Sequence, residues 1–187
     1  NVAIAGGTSG LGLATGIAFS KLGANISICG RRQGALDQAV STMRASGSMV
    51  HGVSVDVTAT GQPDAWLSDA REAFGGLDLL VAAIGGNRSP SDWEGVFSDN
   101  LFWVVRAIRW CEQNMDEGGS IVLVSSIAAR VPRLSEDVAA YGAAKRALEY
   151  VTRESSERLG RRGIRLNAVA PGPVADEGGR WEHQTDD

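Results

Sequence analysis

The chain of 187 residues is long enough for one domain that buries roughly two thirds of the surface of its unfolded form. Hydrophobic residues make up 43% of the sequence and charged residues 21%, which excludes a disordered chain. The net charge of −4 argues against a nucleic-acid binder, and no apolar run reaches the ~18 residues that a membrane-spanning helix needs. We therefore expect a single domain over residues 1–187, without a nucleic-acid or membrane partner.

Cysteine and histidine are scarce and isolated. Cys29 and Cys111 lie far apart and form no redox motif, which is typical of a reduced, cytoplasmic chain. No metal-ligand spacing surrounds His51 or His183, so we expect no metal site. The sequence starts without Met inside an apolar run, and its polar end completes no element. We expect a trimmed chain or a fragment that lacks a C-terminal part.

The first residues, NVAIAGGTSGLG, predict a buried strand and a glycine-rich turn. The apolar run Val2–Ala5 is too short for a helix, and the glycines after it let the backbone turn sharply and approach a ligand. Residues 11–22 then predict a helix, whose free N–H groups and positive dipole end suit a phosphate. Together they predict a dinucleotide site, and a glycine turn without a ligand is the alternative.

Strands and helices then alternate along the chain. The predicted strands are 25–29, 50–55, 77–84, 120–125 and 164–170, and the predicted helices are 33–46, 65–74, 92–115 and 136–159. Because the strands are apolar throughout, both faces of their sheet must be covered. This pattern predicts a doubly wound parallel sheet, the three-layer α/β/α Rossmann fold, in which ligands bind at the carboxyl ends of the strands.

The residues after the second strand indicate the nicotinamide coenzyme. NAD-binding domains of this kind usually carry an acidic residue about 20 positions after the glycine turn, which binds the ribose 2′-hydroxyl. Here Gly30, Arg31 and Arg32 stand there, and no carboxylate occurs before Asp37. Since a guanidinium binds a 2′-phosphate, we predict a preference for NADP(H), with Arg31 as the better ligand and NAD(H) as a possible alternative. An arginine that merely covers the adenine is the other interpretation.

A tyrosine and a lysine share one face of a predicted helix. Tyr141 and Lys145 are four residues apart, and a nearby ammonium would lower the tyrosine pKa from its usual value of about 10. The phenol could then serve as a general acid or base. Ser125 and Ser126 end the fifth strand, where a hydroxyl could reach the same cleft, and Asn100 lies in the long helix 92–115.

With these motifs together, the sequence resembles the short-chain dehydrogenase/reductase family, including its 3-oxoacyl-carrier-protein reductase-like branch, over residues 5–174. The family's glycine motif corresponds to residues 5–12, its adenine-contacting acid to Asp56 and its YxxxK motif to Tyr141 and Lys145. The resemblance implies a coenzyme site formed by Gly6, Thr8, Ser9, Gly10, Leu11, Gly12, Arg31, Arg32, Asp56, Val57, Ala83, Gly85, Tyr141, Lys145, Pro171, Gly172 and Val174.

The resemblance also implies the catalytic roles. Tyr141 would protonate the carbonyl oxygen as the coenzyme delivers hydride, and Lys145 would hold the nicotinamide ribose and lower the tyrosine pKa. Ser126, rather than Ser125, would bind the substrate oxygen, and Asn100 would position a water that relays protons. The expected activity is NADP(H)-dependent hydride transfer to a ketone, or from a secondary alcohol.

The chain departs from the family pattern at three places. Ala5 replaces a threonine, and Ala82 and Ala83 replace two asparagines, so we interpret these alanines as a matched apolar substitution. Asp176 stands near the place of a coenzyme-contacting threonine.

Substrate and assembly are less specified. The loops 86–93, 128–136 and 176–181 should line the cleft, with Trp93 and Trp181 as apolar walls. The remaining tryptophans should belong to the core or an interface. The helices 92–115 and 141–159 resemble those that pair across a two-fold axis in the family, which implies a homodimer or homotetramer through apolar residues: Phe102, Val105, Trp110, Leu148 and Val151.

Two other functions fit parts of the sequence. A nucleotide-binding redox sensor without turnover would share the coenzyme site. A sugar-nucleotide epimerase or dehydratase of the family's extended branch would need a GxxGxxG turn, whereas Gly6, Gly10 and Gly12 form GxxxGxG.

Overall fold

The computed structural model describes residues 1–86, 88–131 and 138–174. Its six strands form one parallel sheet in the order β3-β2-β1-β4-β5-β6. The strands are β1 (Val2–Ala5), β2 (Ile26–Gly30), β3 (Val50–Ser54), β4 (Leu79–Ala82), β5 (Ser120–Val124) and β6 (Arg165–Val169). The predicted doubly wound parallel sheet is confirmed.

The helices cover both faces of this sheet. They are α1 (Gly10–Lys21), α2 (Gln33–Arg44), α3 (Gln62–Phe74), α4 (Trp93–Phe97), α5 (Trp103–Asn114) and α6 (Ala139–Gly160). A π-helical turn, Ser98–Phe102, joins α4 to α5 without a break, so the predicted long helix 92–115 is confirmed over residues 93–114 and contains a π turn that was not predicted. A 3₁₀ turn, Ile127–Ala129, follows β5.

Successive residues of β1 belong to two different cores. Ala3 and Ala5 face the larger core, which includes side chains of α3, α5 and α6. Val2 and Ile4 face the smaller core, which includes side chains of α2. Burial on both faces explains the uninterrupted apolar character of β1. Because all six strands are parallel, their carboxyl ends lie at the same end of the sheet, where the loops that follow them meet.

Trp66, Trp103 and Trp110 are buried in the larger core, as expected. Cys29 and Cys111 are also buried there as free thiols, and desolvation raises the pKa of each to about 12. No helix within the described ranges is long and apolar enough to cross a membrane. In that same part of the chain, no cluster of His, Cys, Asp and Glu has the makings of a metal site.

Candidate functional site

A cleft of about 1120 Å³ runs along the carboxyl ends of the strands. Residues from the glycine turn and from the ends of β2 to β6 line it. Every residue predicted to bind the coenzyme is among them, together with Ser126. Asn100 does not reach the surface of the cleft, since it is fully buried. The strand ends thus bring nearly all the predicted site residues to one place.

The glycine turn is formed by closely packed backbone. Gly6 has a φ of +84°, and a Cβ on Gly12 would lie 2.2 Å from the carbonyl oxygen of Gly6. The helix α1 begins at Gly10, and the Ser9 side chain makes no capping hydrogen bond there. The first residues of α1, Gly10 to Gly12, line the cleft, and the free N–H groups of a helix N-terminus are suited to bind an anion.

The end of β2 is closely packed against the glycine turn. A Cβ on Gly30 would lie 2.8 Å from Cγ2 of Thr8, so Thr8 of the glycine turn occupies that space. Arg31 and Arg32, which come next, are exposed and line the cleft. This corner of the cleft therefore presents two guanidinium groups.

Asp56 follows β3, the strand that pairs with β2. Its Oδ1 accepts hydrogen bonds from the Thr58 hydroxyl (2.7 Å) and the Thr58 backbone N–H (2.9 Å). These bonds hold the pKa of Asp56 below its usual range, with a smaller contribution from Arg31. The carboxylate thus remains charged beside the cleft and fixes the loop after β3.

Lys145 lies on α6 and is almost completely buried. Its Nζ donates a hydrogen bond to the carbonyl oxygen of Val124 (2.8 Å) and lies 5.6 Å from the centroid of the Tyr141 ring. Desolvation lowers the pKa of the ammonium to about 8. The lysine is therefore directed into the cleft and titrates closer to neutrality than a free lysine.

The pKa of Tyr141 is raised, and not lowered as the spacing to Lys145 predicts. Burial of the phenol is the largest cause, and a hydrogen bond with Ser126 acts in the opposite direction. The predicted lowering by Lys145 is wrong in this structure, because that ammonium lies over the ring and is bonded to Val124. Tyr141 is consequently a protonated phenol at neutral pH.

The two serines after β5 have different partners. The Ser126 hydroxyl accepts a hydrogen bond from the N–H of Ala128 (3.2 Å), caps the 3₁₀ turn and lines the cleft beside Tyr141. The Ser125 hydroxyl is buried and donates to Oε1 of Glu149 (3.2 Å) on α6. This difference agrees with the choice of Ser126 over Ser125 as the serine next to Tyr141.

Asn100 lies in the π-helical turn and binds the loop after β4. Its Nδ2 donates to the carbonyl oxygens of Gly86 and Val96 (both 2.8 Å), and its Oδ1 accepts from the N–H of Gly86 (3.2 Å). A Cβ on Gly85 would lie 2.6 Å from this Oδ1 and 2.7 Å from Nζ of Lys145. Gly85, Asn100 and Lys145 therefore meet at one point, and the π turn places the asparagine there.

One charged cluster at the cleft escaped sequence analysis. The Arg88 guanidinium makes a two-pronged ion pair with Asp99, through Nε (2.7 Å) and Nη2 (2.9 Å), and it also contacts Asp92. Hydrogen bonding to Asp99 raises the pKa of Arg88 further. Arg88 and Asp99 both line the cleft. No spacing rule identifies this pair, because a loop and the short helix α4 separate its members.

The alanines that replace polar family residues are neighbours in space. Ala5 and Ala82 are paired in the register of β1 and β4, and both are buried. The N–H of Ala83 donates to the carbonyl oxygen of Ala5 (3.0 Å). The contact is what a matched apolar substitution requires, and the matching itself remains a hypothesis.

The predicted substrate walls are only partly described. Trp93 stacks on Phe97 with 6.2 Å between ring centroids, and it is not among the described residues that line the cleft. Arg88 and Ala128, from two of the predicted loops, do line it. Trp181, Asp176 and the range 132–137 lie outside the described residues.

Two of the residues predicted at a subunit interface belong to the core instead. Leu148 and Trp110 are buried within the chain, since they pack between α6, α5 and the sheet. Phe102 is 45% exposed, and Val105 and Val151 are half-buried.

Comparisons with known proteins agree with this geometry. The model of the family described as short chain dehydrogenase matches residues 1–185. The "Short chain dehydrogenase/reductase astE" of Aspergillus oryzae is 32% identical over 186 residues, which cover 93% of this chain and 70% of that protein.

Two solved structures illustrate the similarity of the folds. The apo form of glucose dehydrogenase of Caenorhabditis elegans has a TM-score of 0.83 at 32% identity and covers 92% of this chain and 73% of its own. A dehydrogenase of Burkholderia cenocepacia, described as putative and with bound NADP, has a TM-score of 0.83 at 24% identity, over 92% of this chain and 68% of its own. The chain thus spans about two thirds to three quarters of the length of these relatives.

Proposed function

The chain belongs to the short-chain dehydrogenase family of oxidoreductases, and we propose that it transfers hydride between NADP(H) and a ketone or secondary alcohol. The observation that carries the proposal is the convergence of Ser126, Tyr141 and Lys145 on a cleft that begins at an open helix N-terminus. Such a cleft joins a phosphate site to a proton donor. Residues 1–187 then act as one coenzyme-binding domain.

The residues at the cleft fit a nicotinamide dinucleotide, which supplies or accepts the hydride when bound. In our proposal the glycine turn binds the pyrophosphate through backbone N–H groups, and Asp56 and Val57 contact the adenine. Arg31 binds the 2′-phosphate, with Arg32 beside it. The packing of Thr8 against Gly30 supports this preference, because Gly30 then carries no side chain and Arg31 is the first side chain after β2 at this corner. The Burkholderia protein, which shares the fold, is described with NADP bound.

The proton passes through Tyr141 in this proposal. Tyr141 is a protonated phenol at neutral pH, and in this proposal it donates that proton to the carbonyl oxygen during reduction. The Ser126 hydroxyl binds the same oxygen, and Lys145 holds the nicotinamide ribose. Asn100 binds the loop after β4 and the helix α4 through its side-chain amide. In our proposal it positions there a water that relays protons to Lys145.

A second copy of the chain is the partner we propose beside the small-molecule substrate. Of the residues predicted at a subunit interface, Phe102 on the π turn is the most exposed, at 45%, and we propose that a homodimer covers it. Analytical ultracentrifugation of the wild type and Phe102→Glu tests this contact, and two identical sedimentation profiles would contradict it.

The function is tested by oxidation of NADPH and NADH with a panel of aldehydes, ketones, quinones and β-ketoacyl thioesters. We expect turnover selective for NADPH, reduced about 10²- to 10⁴-fold in Tyr141→Phe with NADPH binding retained. Arg31→Asp should reverse the coenzyme preference, because it replaces the phosphate ligand by a repelling charge. Tight NADPH binding without turnover on any compound would instead identify a nucleotide sensor.

A further inference from the structure

Glu149 is a buried carboxylate that the proposed chemistry does not use. It lies on α6 one turn after Lys145, and 10% of its side chain is exposed. Its Oε1 accepts hydrogen bonds from Oγ of Ser125 and from Nε of Arg130, both at 3.2 Å. Its Oε2 accepts one from Nη1 of Arg146 at 3.2 Å. Burial of a carboxylate is costly unless charges and hydrogen bonds compensate it, and here two guanidinium groups and a hydroxyl do so.

Two of these partners lie at the two ends of one short segment, residues 125–130, which we name the serine segment. Ser125 directly follows β5, and Arg130 directly follows the 3₁₀ turn. Ser126 lies between them, with its hydroxyl at the cleft. Glu149 therefore binds both ends of the segment that carries Ser126.

The middle of the serine segment is packed against α6 and β6. A Cβ on Gly142 of α6 would lie 2.9 Å from the carbonyl oxygen of Ala128, so the two backbones are in close contact. The N–H of Ile127 donates to the carbonyl oxygen of Pro171 (2.9 Å) after β6. The middle of the segment is thus fixed against α6, which carries Tyr141, and against β6, while Glu149 on the same helix binds its two ends.

We propose that Glu149 is a positioning residue, which sets the place of the Ser126 hydroxyl relative to Tyr141 by binding both ends of the serine segment. This inference rests on the proposed function, because it takes Ser126 as the residue that binds the substrate oxygen. A displacement of about 1 Å at a reacting group can lower the rate about 100-fold. Weaker binding of the serine segment by Glu149 is therefore expected to have a large effect on turnover.

The test compares Glu149→Gln with a matched control. Glutamine keeps the shape of the side chain but presents an amide N–H₂ to Arg130 or Arg146, where the carboxylate accepted their hydrogen bonds. Glu112→Gln removes the same charge from an ion pair between α5 and α6, in which Glu112 binds Arg158 at 2.6 Å and its side chain is 22% exposed. Arg130→Gln removes the ion pair between Glu149 and one end of the serine segment. Its side chain is 59% exposed, so no buried group is altered.

Two readouts are needed. The first is amide hydrogen exchange of a peptide covering residues 125–131, which requires neither coenzyme nor substrate. The second is steady-state reduction of the best carbonyl compound with NADPH. We expect faster exchange in Glu149→Gln and Arg130→Gln, and a kcat/KM about tenfold or more below the wild type, with the Kd of NADPH within about twofold. Glu112→Gln should match the wild type in both.

A double-mutant cycle with Ser126→Ala separates positioning from general loss of structure. If Glu149 acts through Ser126, Glu149→Gln has little further effect on kcat/KM in the Ser126→Ala background. Equal losses in both backgrounds, or wild-type exchange in Glu149→Gln and Arg130→Gln, would overturn the inference. If the wild type reduces none of the carbonyl compounds with NADPH, the proposed function is overturned. The hydrogen-exchange measurement would still decide whether Glu149 holds the serine segment.

Discussion

The two halves of the sheet present very different surfaces to the cleft. The coenzyme half, formed by β1, β2, β3 and α1, offers backbone at its glycine turn, where Gly12 packs on the carbonyl oxygen of Gly6, and charged side chains only after β2 and β3. The catalytic half, formed by β4, β5, β6, the π turn and α6, offers polar side chains. Asn100 and Lys145 are buried there, and each donates to a backbone carbonyl oxygen of another element. The glycine turn of the coenzyme half therefore depends on residues without side chains, and the catalytic half depends on side chains held at fixed positions.

Among the changes that compare the two halves, the largest effect is expected in the coenzyme half. Alanine at Gly12 places a Cβ 2.2 Å from a backbone oxygen, so the glycine turn itself must move. Since overpacking costs up to roughly 3 kcal/mol, we expect Gly12→Ala to weaken NADPH binding about 100-fold, measured by fluorescence titration. Gly34→Ala on α2, where a Cβ meets nothing within 4 Å, is the control and should bind normally. Unchanged affinity in Gly12→Ala would show that backbone approach does not govern this half.

The second prediction tests the catalytic half. Alanine at Gly85 puts a Cβ 2.6 Å from Oδ1 of Asn100 and 2.7 Å from Nζ of Lys145, so both polar groups must move. We expect kcat to fall about 10- to 100-fold in Gly85→Ala, with a smaller change in the Kd of NADPH. The adjacent Gly86→Ala adds a Cβ that meets nothing within 4 Å and should be nearly normal. Similar losses in both variants would contradict the role of the contact at Gly85.

The contrast between the halves also explains what the sequence could predict. Glycine spacing and apolar runs are local signals, so the fold and the residues lining the coenzyme half were accessible from the sequence. The catalytic half depends on tertiary contacts. Asn100 was selected by resemblance, but no periodicity indicated the π turn that carries it. The ion pair of Arg88 with Asp99 and the burial of Glu149 had no signal at all.

The pKa of Tyr141 is the clearest case of this limit. A spacing of four residues predicts that Lys145 is near, but it does not predict how deeply both groups are buried. Desolvation raises the pKa of the phenol and lowers that of the ammonium, and here it is the dominant cause for each. Burial is a property of the folded chain, so the sign of the shift could not be inferred from the helix alone.

The third prediction uses the burial of Lys145 to measure how far water is excluded from the catalytic half. The pKa of Lys145 falls from 10.5 to about 8 on folding, so between these values the unfolded chain binds a proton that the folded chain does not. The contribution of Lys145 to the free energy of unfolding therefore rises with pH above about 8, by at most about 1.4 kcal/mol per unit. Above about pH 10 the raised pKa of Tyr141 acts with the opposite sign.

Urea unfolding at intervals between pH 7.5 and 10 measures this rise. Lys145→Met removes the titrating group and should flatten the dependence in that range. The same slope in both proteins would mean that the lysine is hydrated in the folded state, and the catalytic half would then be more open than its geometry indicates.

The smallest expected effect lies on the boundary between the halves, where β1 of the coenzyme half pairs with β4 of the catalytic half. Ala5 and Ala82 are neighbours in that register and both are buried, so a polar group introduced at one of them has an apolar neighbour. Ala5→Thr or Ala82→Asn alone should lower the free energy of unfolding by about 1–3 kcal/mol, because a buried hydroxyl or amide lacks a partner. In the double variant the hydroxyl and the amide can hydrogen-bond to each other. We therefore expect a coupling energy of about 0.5 kcal/mol or more in urea unfolding. Additive losses would mean that the two alanines are independent, and that the boundary carries no matched pair.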